Sequence, residues 1–215
     1  MKRISLIFQF LILANISIIA QTAVSVDLQN NSCISISGTS NVLSFKFTQS
    51  GEKLLKKNFI IVATQNQHKI TLSQNIQAIP VNNFTSNNKL ALRDFLKLVK
   101  SNIYPSFQVQ LNYVETTPKE ASLDNLKANA SVNITITGVT KHYMIPISSE
   151  KKGDLYAFNG IKKLNIHDFG LSPPTEMMGL IRVNEWIDID FNIICKISPF
   201  KSSELNALNT LNTLK

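Results

Sequence analysis

From about residue 33 to residue 197 the chain alternates apolar and polar positions with a period of two, which predicts strands with one buried and one wet face. Ile70, Leu72, Ile76 and Ala78 stand against Thr71, Ser73, Asn75 and Gln77. Phe107, Val109, Leu111 and Tyr113 stand against Gln108, Gln110 and Asn112. Val132, Ile134 and Ile136 alternate with Asn133, Thr135 and Thr137, and after a turn region from Gly138 to Lys141 the pattern resumes at Tyr143, Ile145 and Ile147, which predicts a hairpin. The last long strand runs from Trp186 to Ile197, with Asp188, Asp190 and Asn192 outward and Ile187, Ile189, Phe191, Ile193 and Cys195 inward.

One segment breaks this rhythm. Between Asn88 and Ser101 the apolar residues Leu92, Phe95, Leu96 and Val99 follow the spacing of an amphipathic helix, with Asn88 as its cap and Pro105 as its stop. The expectation is an all-β, antiparallel barrel of about eight strands with one inserted amphipathic helix, since closure leaves no sheet edge exposed. A two-sheet sandwich is the rival architecture.

The ends read differently. Met1, Lys2 and Arg3 precede an apolar stretch from Ile4 to Ala20, the pattern of a signal peptide cleaved after Ala20. This predicts residues 1–20 as a leader, 33–198 as a single domain and 199–215 as a low-complexity tail with Leu205, Leu208, Leu211 and Leu214 every third residue. The expected location is the periplasm or the exterior of the cell.

Composition adds little chemistry. The chain of 215 residues is 44% hydrophobic and 17% charged, enough apolar mass for a real core. A net charge of +8 is spread over scattered lysines, which predicts a solvated basic surface, at most in transient contact with anionic membrane, and no nucleic-acid partner. Export permits a disulfide between Cys33 and Cys195. Against it, Cys33 is out of phase with Ile34 and Ile36, so the two thiols point to opposite faces unless Cys33 lies just before its strand. His68, His142 and His167 share no short spacing with a Cys or with one another, and neither a Gly-x-Ser-x-Gly turn nor a phosphate loop is present. His167 and Asp168 adjoin, but neighbours on a strand face opposite ways. Glu176 and Glu185 read as solvated carboxylates. The expectation is therefore no catalysis, no metal and no cofactor. The inward set contains no recurrent polar member, so the interior is either a solid core or a channel for one slender apolar ligand.

Three stretches together resemble the YceI-like family of exported lipid-binding barrels. They are Leu90 to Leu111, with Phe95 and the Tyr104-Pro105 pair; Ile134-Thr135-Ile136-Thr137-Gly138-Val139-Thr140-Lys141; and Ile166-His167-Asp168-Phe169-Gly170-Leu171, followed by Ser172-Pro173-Pro174. The resemblance implies a lipocalin-like barrel, closed near the helix, that binds or carries a polyisoprenoid, quinone-tailed or fatty chain. Phe95, Leu96, Val99, Phe107, Val109, Leu111, Ile134 and Ile136 are the expected channel lining. An exported interaction module, a β-sandwich with a packed core and a protein partner, is the alternative.

Overall fold

The computed structural model describes residues 21–200 except 55–57, 67, 74, 117–121, 174 and 177–180; the expected leader lies outside the described residues, as does the expected tail apart from Pro199, which ends the last strand, and Phe200. The strands are β1 (Gln21–Leu28), β2 (Cys33–Ser40), β3 (Ser44–Ser50), β4 (Asn58–Asn66), β5 (Lys69–Ser73) and β6 (Ile76–Pro80). After the helix α1 (Lys89–Leu98) come β7 (Ser106–Thr116), β8 (Lys127–Ile136), β9 (Val139–Lys152), β10 (Leu155–Asn165), β11 (Thr175–Glu176) and β12 (Ile181–Pro199). They form one antiparallel sheet in which eight strands, β1, β4, β5, β7, β8, β9, β10 and β12, close into a ring through the β1–β12 pair. The fold is thus the expected all-β, barrel-like one, with one α-helix among the described residues. Its ring includes β1, which precedes residue 33.

β12 is the axis of this arrangement. Its C-terminal part pairs with β1, from Leu28 opposite Cys195 to Val24 opposite Pro199, and its earlier part pairs with β2 along the same edge. β10 lines the other edge from Leu155 to Asn165. At the end of the ring that holds α1, the wall continues through β2 and β3, then through residues 81–85, to β6 and β7. That connection is tied to β7's side by the Val81 N–H donating to Pro105 O at 2.9 Å, and to β3 by paired bonds between Thr48 and Thr85.

Local chemistry corrects four details of the sequence reading. The hairpin turn is only Thr137 and Gly138, both with positive φ (49° and 81°), so Val139 to Lys141 already belong to β9. α1 is capped by Asn88, whose Oδ1 accepts from Ala91 N at 3.0 Å, but Pro105 does not stop it. Lys100 turns left-handed at φ 49°, and the Ser101 and Lys100 amides bond back to Leu96 O and Lys97 O, the Schellman closure.

The strand read as clearest is in fact broken. Ile70 and Leu72 are half-buried on the inner side of β5, but Ile76 and Ala78 are exposed on β6, while Gln77 and Ile79 stand opposite the inward Val109 and Phe107. Between β5 and β6 the Asn75 side chain takes the place of a strand peptide: it accepts from Leu111 N at 2.9 Å and donates to Leu111 O at 2.6 Å. A polar side chain that imitates backbone thus exchanges the inner and outer faces of β6. On the same stretch of β7 a register shift between Leu111 and Tyr113 turns Tyr113 outward, opposite Ser131, and Val114 inward, opposite Ala130.

Candidate functional site: the barrel interior

All eight residues expected to line a channel meet in one apolar cluster. Phe95, Val99, Phe107, Ile134 and Ile136 are buried in it, and Leu96, Val109 and Leu111 pack against it half-buried. The helix end is dominated by a column of aromatic rings: Phe47 stacks on Phe95 at 4.5 Å and on Phe45 at 5.2 Å, while Phe84 and Phe107 meet the Phe95 ring at 5.8 and 6.3 Å. Phe45, Phe47 and Phe84 are not among the expected lining residues. The alternation in Ser44–Ser50 is short, and Phe84 sits in an irregular connection that no periodicity marks.

A second apolar cluster lies toward the other end, built from Val26, Leu28 and Cys195 with Phe59, Ile61, Tyr156, Phe158, Ile193 and Ile197 around them. Along β12 the inward residues divide between the two, with Ile187, Ile189 and Phe191 in the first and Ile193, Cys195 and Ile197 in or against the second. The clusters meet at a cross-strand row that runs Gln49, Ile34, Phe191, Gly160, Ile147 from β3 to β9. The Phe191 ring lies across Gly160, where a Cβ would fall 2.5 Å from its Cζ, and Phe45 covers Gly38 in the same way.

The interior is not purely apolar, contrary to the sequence expectation. Gln49 is inward, 1% exposed, and neither its Nε2 nor its Oε1 has a hydrogen-bond partner; Gln77 Nε2 is likewise buried and unpaired. Ser149, in register with the inward Phe158, accepts from Leu126 N and donates to Leu123 O, tying the 3-10 turn Leu123–Asn125 across the end away from α1. On β10, Lys162 stands opposite Ile189, and its Nζ donates to Met144 O at 3.1 Å.

The groups with chemical potential lie elsewhere. Residues 166–169 are not strand: Ile166–Phe169 form a 3-10 turn capped by Asn165, the last residue of β10, which sends His167 to Glu185 at 3.2 Å and Asp168 to the Tyr143 hydroxyl at 2.9 Å. Burial, helped by the Asp168 carboxylate, holds the Tyr143 phenol well above its ordinary pKa. Ser131 Oγ and His142 Nε2 share a hydrogen bond at 2.7 Å, but on the outer face, with Ser131 fully buried. Among the described residues no three His, Cys, Asp or Glu side chains gather. Cys33 and Cys195 are both free thiols; Cys33 pairs with the outward Asn192, whereas Cys195 is inward. A surface depression of about 670 Å³ lies outside β3 against residues 85–88, with Lys46, Asp188 and Thr48 among its lining.

No protein-family model matches the sequence, and no curated protein matches it. Solved structures do. Burkholderia cenocepacia BcnA superposes with a TM-score of 0.51 at 15% identity, covering 78% of this chain and 99% of that one. A polyisoprenoid binding domain from Saccharophagus degradans, implicated in plant cell wall breakdown, superposes with a TM-score of 0.54 at 10% identity, covering 82% of this chain and 99% of that one. The YCEI protein of Campylobacter jejuni is more distant, with a TM-score of 0.44 at 18% identity over 66% of this chain and 81% of its own. At such identities the likeness is one of architecture, and this chain has the fold of BcnA and of the polyisoprenoid binding domain.

Proposed function

We propose that this protein holds a long apolar chain, a polyisoprenoid, quinone-tailed or fatty lipid, inside its strand ring, and that it carries this ligand without transforming it. The observation that carries the reading is the convergence of the eight expected lining residues on one apolar cluster beneath α1. The shared fold with a polyisoprenoid binding domain supports it. Burial of about ten methylenes brings roughly 8 kcal/mol before the cost of ordering the chain, which makes micromolar binding reasonable.

The setting belongs to the same proposal. Residues 1–20 carry the pattern of an export leader, so the site of action is the periplasm or the exterior. The basic surface, at +8, and the exposed Leu90 in the first turn of α1 and Ile103 just after the helix favour brief contact with anionic membrane, where apolar chains are collected or delivered. The rival, an interaction module with a packed core and a protein partner, is favoured by the tight aromatic column, which leaves its rings in mutual contact.

The test is a melting curve of delipidated protein with geranylgeraniol, phytane or palmitate, combined with native mass spectrometry of freshly purified protein. The carrier reading expects a higher Tm with at least one long chain and a co-purifying apolar mass. Phe95→Asp abolishes the shift in protein that circular dichroism shows to be folded, because a carboxylate facing the chain must be desolvated. Lys97→Asp, on the exposed face of α1, keeps it. No shift with any chain and no bound mass would leave the packed interaction module as the better account.

A further inference from the structure

We propose that Gln49 is the polar anchor of this interior, and that the ligand carries a neutral head group able to donate and accept a hydrogen bond, a hydroxyl or a carboxamide. The inference rests on the carrier reading and adds the chemistry of the ligand's polar end.

Gln49 continues the inward series Phe45, Phe47 on β3 and faces Ile34 across the strand pair. Its side chain is 1% exposed, and both ends of its amide are unpartnered. Buried polar groups are almost always paired, because an orphaned donor or acceptor has lost its water and gained nothing. A Leu or Met would fill the same space without that cost. An amide kept at the junction of the two apolar clusters is therefore explained by a partner that arrives with the ligand. Gln77, inward on β6, has its Nε2 in the same condition.

The surroundings select the class of that partner. The row at the level of Gln49 is Ile34, Phe191, Gly160 and Ile147, all uncharged. Among the described residues the one inward ammonium near this level, Lys162, is already held by Met144 O. A phosphate or diphosphate placed beside Gln49 would be stripped of water with no cation to meet it. A bare carbonyl would satisfy Nε2 and leave Oε1 orphaned. A hydroxyl or carboxamide completes both.

The experiment is titration calorimetry of delipidated protein, wild type and Gln49→Met, with three probes that share one saturated C20 chain: phytanol, phytanyl diphosphate and the hydrocarbon phytane. Wild type binds the alcohol about tenfold more tightly than the hydrocarbon and than the diphosphate, the scale of one well-made buried hydrogen bond. In Gln49→Met the alcohol and hydrocarbon come within about twofold of each other, while hydrocarbon binding is kept. A merely structural Gln49 would alter the melting temperature of the empty protein and leave the preference as it was, which overturns the proposal. Equal affinities in wild type, or tightest binding of the diphosphate, overturn it as well. If phytane binds and only the preference is missing, the anchor fails and the carrier stands. If none of the three binds, both fall.

Discussion

Lys162 Nζ donates to the carbonyl of Met144 at 3.1 Å, at the place where the β9–β10 ladder has stopped. The last ladder pair is Gly160 opposite Ile147, and beyond it the backbone of β9 lacks the neighbour that β10 supplied. The ammonium also lies 5.4 Å from the centroid of the Tyr143 ring. A side chain thus bridges the opening of the wall where two strands diverge. Lys162→Met keeps the apolar stem and removes the donor, and it lowers unfolding free energy by about 1 to 2 kcal/mol, read from urea melts. No change in the urea midpoint would show that the carbonyl is satisfied without it.

Phe169 seals the adjacent corner. It is 2% exposed, its ring centroid is 6.3 Å from that of Tyr143, and its carbonyl accepts from Thr137 Oγ1. Phe169→Ala costs about 3 to 5 kcal/mol in the same melts, as expected when a buried ring leaves a cavity. A loss under about 1 kcal/mol would mean that the 3-10 turn does not pack on the barrel.

Gly160 and Phe191 test whether ring-over-glycine contact shapes the wall. A Cβ at 160 would lie 2.5 Å from Phe191 Cζ and 3.0 Å from Pro146 O. Gly160→Ala therefore destabilises by about 1 to 3 kcal/mol despite the entropic gain of losing a glycine. Adding Phe191→Leu recovers part of that loss, and the double mutant is less destabilised than the sum of the singles. Strict additivity in thermal melts would show that the clash is with the backbone alone.

Lys100 closes α1 at a positive φ that side-chain-bearing residues adopt reluctantly. Lys100→Gly relieves that conformation and raises stability by about 0.5 to 1 kcal/mol, seen as a higher Tm. A lower Tm would indicate that the exposed Lys side chain contributes more than its backbone costs.

Burial, with a smaller part from the Asp27 charge, raises the Cys195 thiol from 9.0 to about 11. The folded pKa exceeds the unfolded one, so between these values the unfolded chain holds fewer protons. The stabilising contribution is complete below about pH 9 and is lost as pH climbs toward 11. The urea midpoint of wild type falls more between pH 8 and 11 than that of Cys195→Ala. Equal falls would place the thiol in contact with water.

The parts legible in the sequence are those whose chemistry is periodic. The helix is readable because Leu92, Phe95, Leu96 and Val99 share a face and Asn88 precedes it. The hairpin is readable from Val132, Ile134 and Ile136. Where a side chain does backbone work the pattern misleads: Asn75 reverses the facing of β6, and the register shift after Leu111 turns Tyr113 outward. Gln49 is hidden because its strand is short and a polar residue after Phe45 and Phe47 reads as the edge of an apolar run. Its meaning depends on having no partner, and only the assembled interior shows that. The closing strand β1 escapes notice because it directly follows the expected leader, although Val24, Val26 and Leu28 alternate with Ser25 and Asp27.

β12 sets the order in which this molecule can be made. It is the last strand in the described chain, and it joins β10, β2 and β1. Until residues 181–199 are present, β1 has no partner on its inner edge and the ring stands open from β1 to β10. Pairing Val24 with Pro199 joins positions almost the whole domain apart, and contacts of such long range make folding slow. The ring therefore cannot close before β12 has paired with both β10 and β1.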